Sequence, residues 1–153
     1  MMKILGIVVC YNPDVKELYY NIDQYIDYVD NLIVWQNSPN IEKEFSLVAS
    51  GNINEKITFM GKGVNQGIAY PLNIARKIIL SENDKFTHLL TMDQDSTWVN
   101  FEDYKLEIEN KYLDAIFSPN INNEIVSNQR FVEVKTCITS GAIFTKKVIL
   151  EIG

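Results

Sequence analysis

Uninterrupted apolar runs alternate along much of the chain with segments whose apolar residues recur every three or four positions. Uninterrupted runs are typical of parallel strands that are buried on both faces of a sheet, and the wider spacing is typical of amphipathic helices. This pattern predicts strands at residues 3–10, 32–35, 56–60 and 89–92, and helices at residues 15–29, 41–49 and 69–81. Strand and helix therefore alternate.

The last part of the chain is less regular. Residues 101–111 predict a helix with exposed acids, residues 113–117 a fifth strand and residues 146–152 a final helix. Apolar and polar residues mix over 131–139, which predicts a half-exposed, antiparallel strand that resumes at residues 142–144. We find no repeat, linker or low-complexity segment. The pattern predicts one α/β domain over residues 1–153, with a parallel sheet and right-handed crossovers.

Two aspartates follow the apolar run 89–92 directly, in the segment FTHLLTMDQDSTW. Acidic residues at the end of a parallel strand lie at the edge where open α/β sheets bind ligands. If the chain stays extended, Asp93 and Asp95 point the same way and face one spot. Such carboxylates repel each other unless a cation lies between them. Mg²⁺ or Mn²⁺, completed by water and phosphate oxygens, suits this pair. A polar turn that only closes the strand is the alternative.

Composition narrows the class of protein. The 153 residues are 46% hydrophobic and 22% charged, as in an ordinary globular domain. A net charge of −6 and a pI near 4.8 argue against a nucleic-acid binder, which needs a basic face. Cys10 and Cys137 form no C-x-x-C pair and suit a reducing compartment. The N-terminal apolar run is too short for a membrane span and has no signal-peptide cleavage site, so we expect a cytoplasmic protein.

Short motifs of other protein classes are incomplete in this chain or occur in an unusual place. A dinucleotide fingerprint of the form G-x-G-x-x-G that began at Gly61 would need its third glycine at Gln66, and no Gly-Lys-Ser/Thr exists for a P-loop. The single histidine, His88, lies in a predicted strand, which favours a packing or hydrogen-bonding role over catalysis. Asp93-x-Asp95-x-Thr97 also matches the signature of haloacid-dehalogenase-like phosphatases, with Asp93 as nucleophile. That family opens its domain with this strand, which comes late here, so we keep it as a minority alternative.

Five motifs share one order along the chain: CYNPD, QNS, NQGIA followed by Asn73, MDQDS and TSGAIF. In this order and spacing they resemble family 2 glycosyltransferases of the GT-A fold, most closely the rhamnosyltransferase-like branch. The resemblance runs from Lys3 to the last residue. It implies a three-layer α/β/α sandwich with a mostly parallel central sheet and an antiparallel strand near the C-terminus.

The resemblance also implies roles for the residues that follow the first two strands. Tyr11, Asn12 and Pro13 would line the base and ribose of a nucleotide. Gln36 stands where the family usually has an aspartate that hydrogen-bonds the pyrimidine ring. A glutamine can still accept such a bond through its carbonyl oxygen, although it lacks the charge.

Further along the chain, Asn65, Gly67 and Asn73 would shape the diphosphate and sugar side of the pocket, with Gly67 letting the backbone approach the ligand. Asp93 would contact ribose or sugar hydroxyls. Asp95, with Asp93 beside it, would hold the Mg²⁺ or Mn²⁺ ion on the diphosphate. These roles follow from the resemblance alone.

The activity that the resemblance implies is transfer of a sugar, with rhamnose as a candidate, from a dTDP- or UDP-sugar to a saccharide or lipid-linked saccharide, with inversion. The acceptor would approach at Ser140 and Gly141. Such enzymes serve cell-surface polysaccharide synthesis, so the cytoplasm or the inner face of the membrane is the expected place.

The resemblance does not assign the catalytic base to any residue of this chain. In the family it belongs to an acidic motif beyond the position of Gly153, so we expect the acceptor portion to be missing from this chain and assign no catalytic residue. Glu151 is a candidate by proximity, and a helical surface glutamate is the more ordinary interpretation. A non-catalytic sugar-nucleotide-binding module is the alternative. A homodimer stays open because a truncated edge would leave apolar surface uncovered.

Overall fold

The computed structural model describes residues 1–82, 85–111, 113–120 and 131–152. The strands in these ranges are β1 (Ile4–Cys10), β2 (Asn31–Gln36), β3 (Ile57–Met60), β4 (His88–Asp93), β5 (Ile116–Phe117) and β6 (Ala142–Thr145). The helices are α1 (Val15–Asp23), α2 (Ile41–Val48), α3 (Ala69–Ser81), α4 (Phe101–Glu109) and α5 (Lys146–Glu151). Among the described helices none is long and apolar enough to cross a membrane.

The strands form one sheet in the order β3-β2-β1-β4-β6-β5. Strands β3, β2, β1 and β4 run parallel, with Cys10 beside Gln36 and Val9 beside Asp93. Strand β6 is antiparallel to both β4 and β5. The carboxyl ends of the four parallel strands therefore meet along one edge, which we call the carboxyl edge. The predicted mostly parallel sheet with an antiparallel strand near the C-terminus is confirmed.

Both faces of this sheet are covered, because successive residues of β1 enter different cores. Ile4 and Val8 belong to a cluster with buried side chains of α1, α2 and α4. Leu5 and Ile7 belong to a second cluster with buried side chains of α3 and α5. An uninterrupted apolar run is what a strand needs when both of its faces are buried. The three-layer α/β/α arrangement is therefore confirmed.

The strand predicted at residues 131–139 is wrong. These residues form no strand, and nearly all of them are exposed, including Val132, Val134 and Ile138. The antiparallel strand is β6, which begins at Ala142 and takes the place beside β4. A strand-like pattern depends strongly on its tertiary context, and here the place beside β4 belongs to β6. The predicted fifth strand is likewise shorter, since only Ile116–Phe117 pairs with β6.

The helix predicted at residues 15–29 ends early. Asp14 accepts from the backbone N–H groups of Lys16 and Glu17 and so caps α1 as an N-terminal aspartate should. The helix stops at Asp23, and residues 26–28 form a single 3₁₀ turn. The backbone N–H of Tyr25 bonds to the carbonyl three residues earlier instead of four, which tightens the chain out of the α-helix. The apolar positions of this segment are nonetheless buried.

His88 lies at the amino end of β4, at the far end of that strand from Asp93. Its Nδ1 atom is 2.7 Å from the hydroxyl of Thr87. Burial lowers the pKa of its imidazole to about 4, an effect partly offset by the carboxylate of Glu109. The hydrogen-bonding role predicted for this histidine fits the structure, and its position separates it from the carboxyl edge.

Candidate functional site

Residues from four loops converge at the carboxyl edge, because each loop follows one of the parallel strands. The loop after β1 carries Tyr11, Asn12 and Pro13, and Gln36 ends β2. The glycine-rich loop after β3 carries Asn65 and Gly67 and leads into α3. The last residue of β4 is Asp93, with Asp95 in the turn that follows. The structure thus brings the residues singled out in the sequence to one edge of one sheet.

The loop after β1 is fixed to the end of β2. Asn12 has a positive φ of 44°, a backbone conformation that asparagine tolerates better than most residues. Its backbone N–H donates to the hydroxyl of Ser38 at 2.9 Å, and the backbone N–H of Asn37 donates to the carbonyl of Cys10 at 2.9 Å. The side chain of Tyr11 remains 52% exposed above this loop. Tyr11 is therefore available to a ligand, while its backbone is held in place.

The side chain of Gln36 is partly engaged within the protein. Its Oε1 atom accepts from the backbone N–H of Glu42, at 3.0 Å, in the first turn of α2. Asn40, which precedes α2, makes no side-chain capping bond to that helix. Gln36 therefore satisfies one of the unpaired N–H groups at the start of α2. The carbonyl oxygen that would accept from a base already has one partner.

Asn37 joins the end of β2 to the glycine-rich loop, and its side chain is only 3% exposed. Its Oδ1 atom accepts from the indole Nε1 of Trp35 at 3.2 Å and from the backbone N–H of Gln66 at 3.1 Å. Its Nδ2 atom donates to the carbonyl of Gly67 at 2.9 Å. The amide thus uses its acceptor and a donor to fasten residues 66 and 67 beside β2.

Two glycines in this loop are required for different reasons. At Gly61, which has a φ of +91°, a Cβ atom would lie 2.7 Å from the carbonyl oxygen of Gln36, so a side chain is excluded by packing. At Gly67, which has a φ of +69°, no atom lies within 4 Å of a Cβ, so the backbone conformation requires glycine and the space beside it is open. The side chain of Asn65 accepts from the N–H of Gly67 at 2.9 Å. Asn73 is exposed on α3.

The acidic pair lies in a turn, so the expectation of an extended Asp93–Asp95 segment is wrong. Asp93 ends β4, and the turn is closed by a 3.3 Å bond from the N–H of Ser96 to the carbonyl of Asp93. Both carboxylates are exposed, and neither has a hydrogen bond or ion pair among the described residues. They are free to bind a cation, although the turn, and not the strand, sets their directions.

The predicted acceptor-side residues lie directly beside this turn. The hydroxyl of Ser140 accepts from the backbone N–H of Asp93 at 3.2 Å. Gly141 has a φ of +76° and donates its N–H to the carbonyl of Thr91 at 2.8 Å. A Cβ at Gly141 would lie 2.8 Å from the Trp98 ring, so the chain passes this point only as glycine.

Sequence reasoning missed the roles of two amide side chains. Asn37 and Gln94 stood within quoted motifs, QNS and MDQDS, but received no function. Gln94 accepts from the N–H of Tyr11 at 2.7 Å and donates to its carbonyl at 3.2 Å, and so joins the acidic turn to the loop after β1. An amide next to a strand end was the available signal, since it carries both a donor and an acceptor.

A divalent metal ion fits this edge only with help from a ligand. The described residues contain no group of three or more histidine, cysteine or acidic side chains that could hold a metal. Asp93 and Asp95 offer oxygen ligands only, which suit Mg²⁺ and Mn²⁺ and not a thiolate-bound metal. Since Mg²⁺ is commonly held by one or two carboxylates together with substrate phosphates and water, the phosphates would have to complete the site.

Comparisons with known proteins identify the fold. No family model matches the chain, and no curated protein sequence matches it. A mannosyltransferase from Pyrobaculum calidifontis, solved in complex with GDP-Man and Mn²⁺, aligns over 99% of this chain with a TM-score of 0.69 and 13% sequence identity. The 4-diphosphocytidyl-2C-methyl-D-erythritol synthase from Anaerococcus prevotii aligns over 99% of this chain with a TM-score of 0.57 and 12% identity. The fold is GT-A-like.

The GT-A-like fold confirms the predicted fold class, and at these identities the likeness concerns the fold alone. The chain spans 46% of the length of the mannosyltransferase and 73% of that of the synthase. Membership of glycosyltransferase family 2, and of its rhamnosyltransferase-like branch, therefore stays a prediction. The order of the site loops along the GT-A-like sheet is nevertheless fixed by this chain's own strand pairing.

Proposed function

We propose that the carboxyl edge binds a nucleoside-diphospho-sugar and that the protein is a glycosyltransferase that moves this sugar to an acceptor hydroxyl. The observation that carries the proposal is a continuous set of hydrogen bonds across the four loops. We call the residues that make or flank these bonds the carboxyl arc: Tyr11, Asn12, Gln36, Asn37, Ser38, Asn65, Gln66, Gly67, Asp93, Gln94, Asp95 and Ser140.

The side chains of the arc offer the chemistry that a nucleoside-diphospho-sugar needs. The middle of the arc, after β1, carries Tyr11, Asn12 and Pro13, which we assign to the base and ribose, with Gln36 beside them at the end of β2. Aromatic faces suit a planar base, and backbone held at fixed positions suits a ligand with several hydroxyls. The exposure of the Tyr11 side chain supports this assignment.

We assign the phosphates and sugar to the parts of the arc on either side of this middle, after β3 and after β4. The space beside Gly67 is open, so backbone can approach a ligand closely there, and we assign Asn65, Gly67 and Asn73 to the diphosphate and sugar. We assign Asp93 to ribose or sugar hydroxyls and, together with Asp95, to the metal. A bound Mg²⁺ or Mn²⁺ would stabilise the charge that develops on the leaving diphosphate. The Mn²⁺ and GDP-Man in the mannosyltransferase structure support this proposal.

The acceptor side is assigned to Ser140 and Gly141, because Ser140 contacts the backbone of Asp93. A carboxylate would then remove the proton of the acceptor hydroxyl, as inversion requires. Glu151 is poorly placed for this task. Strand β6 runs antiparallel, so α5 begins at the edge opposite the carboxyl arc, and Glu151 is exposed at the end of α5. The base remains unassigned.

The finer parts of the proposal concern the substrates. We propose a dTDP- or UDP-sugar as donor, with rhamnose as a candidate sugar. The acceptor would be a saccharide or lipid-linked saccharide, in cell-surface polysaccharide synthesis. GDP-sugars enter the test because the mannosyltransferase was solved with one. The dehalogenase-like phosphatase gains no support, since Asp93 ends the fourth strand along the chain and lies in a GT-A-like fold.

The test is calorimetric titration of UDP, dTDP and GDP with Mn²⁺ and with EDTA. We expect at least one nucleotide to bind more tightly with Mn²⁺, and Asp95→Asn to reduce that gain by about tenfold or more, because a carboxylate ligand is lost. Asp23→Asn is the matched control, since Asp23 is an exposed aspartate at the end of α1.

Two results would contradict the proposal. One is the absence of metal-dependent binding for all three nucleotides, and the other is an unchanged gain in Asp95→Asn. Release of nucleoside diphosphate from the preferred donor, abolished by Asp95→Asn, would separate a transferase from a module that only binds.

A further inference from the structure

Gln94 lies between the two aspartates and makes contacts that neither of them makes. Strands β1 and β4 pair in register up to Val9 and Asp93. If the ladder continued, Asp95 would stand beside Tyr11, but the backbone turns away after Asp93. The side chain of Gln94 reaches back instead, with 2.7 Å between its Oε1 atom and the N–H of Tyr11 and 3.2 Å between its Nε2 atom and the carbonyl of Tyr11.

The chemistry of these two bonds requires an amide at position 94. A backbone N–H needs an acceptor and a carbonyl needs a donor, so the orientation of the carboxamide is determined by its partners. Glutamate has the same length, but its ionised carboxylate only accepts. The carboxamide of Gln94 therefore takes the place of one further peptide group in the ladder between β1 and β4.

The remainder of the turn is also fixed. Asn21, buried on α1, donates from its Nδ2 atom to the backbone carbonyl of Gln94 at 3.4 Å. On the other side, the N–H of Asn12 donates to Ser38, so that the loop after β1 is held from both of its neighbours. The acidic turn and the Tyr11–Asn12 loop are thereby locked to each other through Gln94.

We propose that Gln94 is the positioning residue that sets the distance between the metal-binding aspartates and the nucleotide-binding loop. This inference rests on the proposed function. Asp93 and Asp95 would hold the metal ion that binds the diphosphate, while Tyr11 and Asn12 would hold the base and ribose of the same molecule. The diphosphate and the base can be bound at the same time only if the acidic turn and the loop after β1 keep their separation. The side chain of Gln94 links these two segments directly. Loss of the Gln94 side chain therefore weakens the coupling between metal binding and nucleotide binding.

The first measurement tests the link without any ligand. Gln94→Met keeps the length of the side chain and removes both bonds to Tyr11. We expect the amide hydrogen of Tyr11, followed by NMR, to exchange with solvent about tenfold faster or more, the scale of one to two net hydrogen bonds. The control is Gln24→Met, since Gln24 also donates to a backbone carbonyl, that of Tyr20, but lies at the end of α1. It should leave the Tyr11 amide unchanged.

The second measurement is the ratio of nucleotide dissociation constants in EDTA and in Mn²⁺, which reports the coupling between metal and nucleotide. In Gln94→Met we expect this ratio to fall about tenfold, with a smaller change in nucleotide affinity in EDTA. A residue with only a structural role would lower the urea midpoint and leave the ratio unchanged.

Each outcome decides a different claim. Unchanged exchange of the Tyr11 amide in Gln94→Met overturns the link itself. Faster exchange with an unchanged ratio overturns the positioning role while leaving the proposed function intact. If the wild-type protein shows no metal-dependent binding, the proposed function fails and the positioning role fails with it, whereas the exchange result still reports whether the link exists.

Discussion

Asn37 is the side chain at the carboxyl edge whose loss should cost the most stability. Asn37→Ala removes the bonds to Trp35, Gln66 and Gly67. Gln66 and Gly67 are exposed, so water can replace the amide there, and each bond costs about 1 kcal/mol or less. Trp35 is only 4% exposed, and its indole N–H has no other partner among the described residues. Orphaning a buried donor costs about 1–3 kcal/mol. The total is about 1–5 kcal/mol.

A double-mutant cycle isolates the part that belongs to the indole. Trp35→Phe removes the N–H while keeping an aromatic ring in the core. In that background we expect the cost of Asn37→Ala to fall by about 1–2 kcal/mol, because no buried donor is orphaned. The assay is urea unfolding followed by circular dichroism, with midpoint and slope fitted for all four proteins. Asn52→Ala, at an exposed asparagine outside the carboxyl arc, should change stability by less than about 0.5 kcal/mol.

The reasoning fails if Asn37→Ala costs the same with tryptophan and with phenylalanine at position 35. The indole bond would then contribute nothing, and the cost of Asn37→Ala would come from the bonds to Gln66 and Gly67 alone. A total cost below about 0.5 kcal/mol would place Asn37 with ordinary surface residues, contrary to its burial.

Two further predictions concern glycine geometry and acid stability. Gly141→Ala should destabilise the protein by about 1–3 kcal/mol more than Gly51→Ala in urea unfolding, because both have positive φ but only Gly141 would push a Cβ against Trp98; equal losses would rule out the clash. Burial lowers the pKa of His88 to about 4, so, as the pH falls, this histidine takes up a proton in the unfolded chain before it does so in the folded protein. Stability that is present above about pH 6.5 is therefore lost as the pH falls toward 4. Urea midpoints between pH 7 and pH 4 should therefore fall more steeply for the wild type than for His88→Gln, and parallel curves would refute the assignment.

The strand ends were predictable from the sequence because burial on both faces leaves a clear signal. Apolar runs ending at Cys10, Trp35 and Met92 placed the loops, and parallel pairing put the loops on one edge. Once those ends are known, the polar residues after them become candidate site residues without further information. The same reasoning placed His88 within a strand and favoured a packing or hydrogen-bonding role for it.

Details that depend on pairing partners could not be predicted. The mixed pattern of 131–139 is typical of a strand, yet whether it pairs depends on tertiary context, and the place beside β4 belongs to β6. Asp93 and Asp95 were expected on an extended chain, but a turn begins at Gln94. The hydrogen bond between Gln94 and Tyr11 joins residues 83 positions apart in the chain, so no local sequence pattern could predict it.

The carboxyl arc holds only two of the 20 acidic residues of this protein. The chain carries a net charge of −6, and further carboxylates in the arc would repel a diphosphate. Its loops are joined by amides and hydroxyls, which supply donors and acceptors without charge, and Asp93 and Asp95 are the arc residues that carry carboxylates. If a divalent ion accompanies the donor, those two charges lie where it can neutralise them. Exchanging Asn37 or Gln94 for the corresponding acid would then disturb both the fastening of the loops and the balance of charge around the donor.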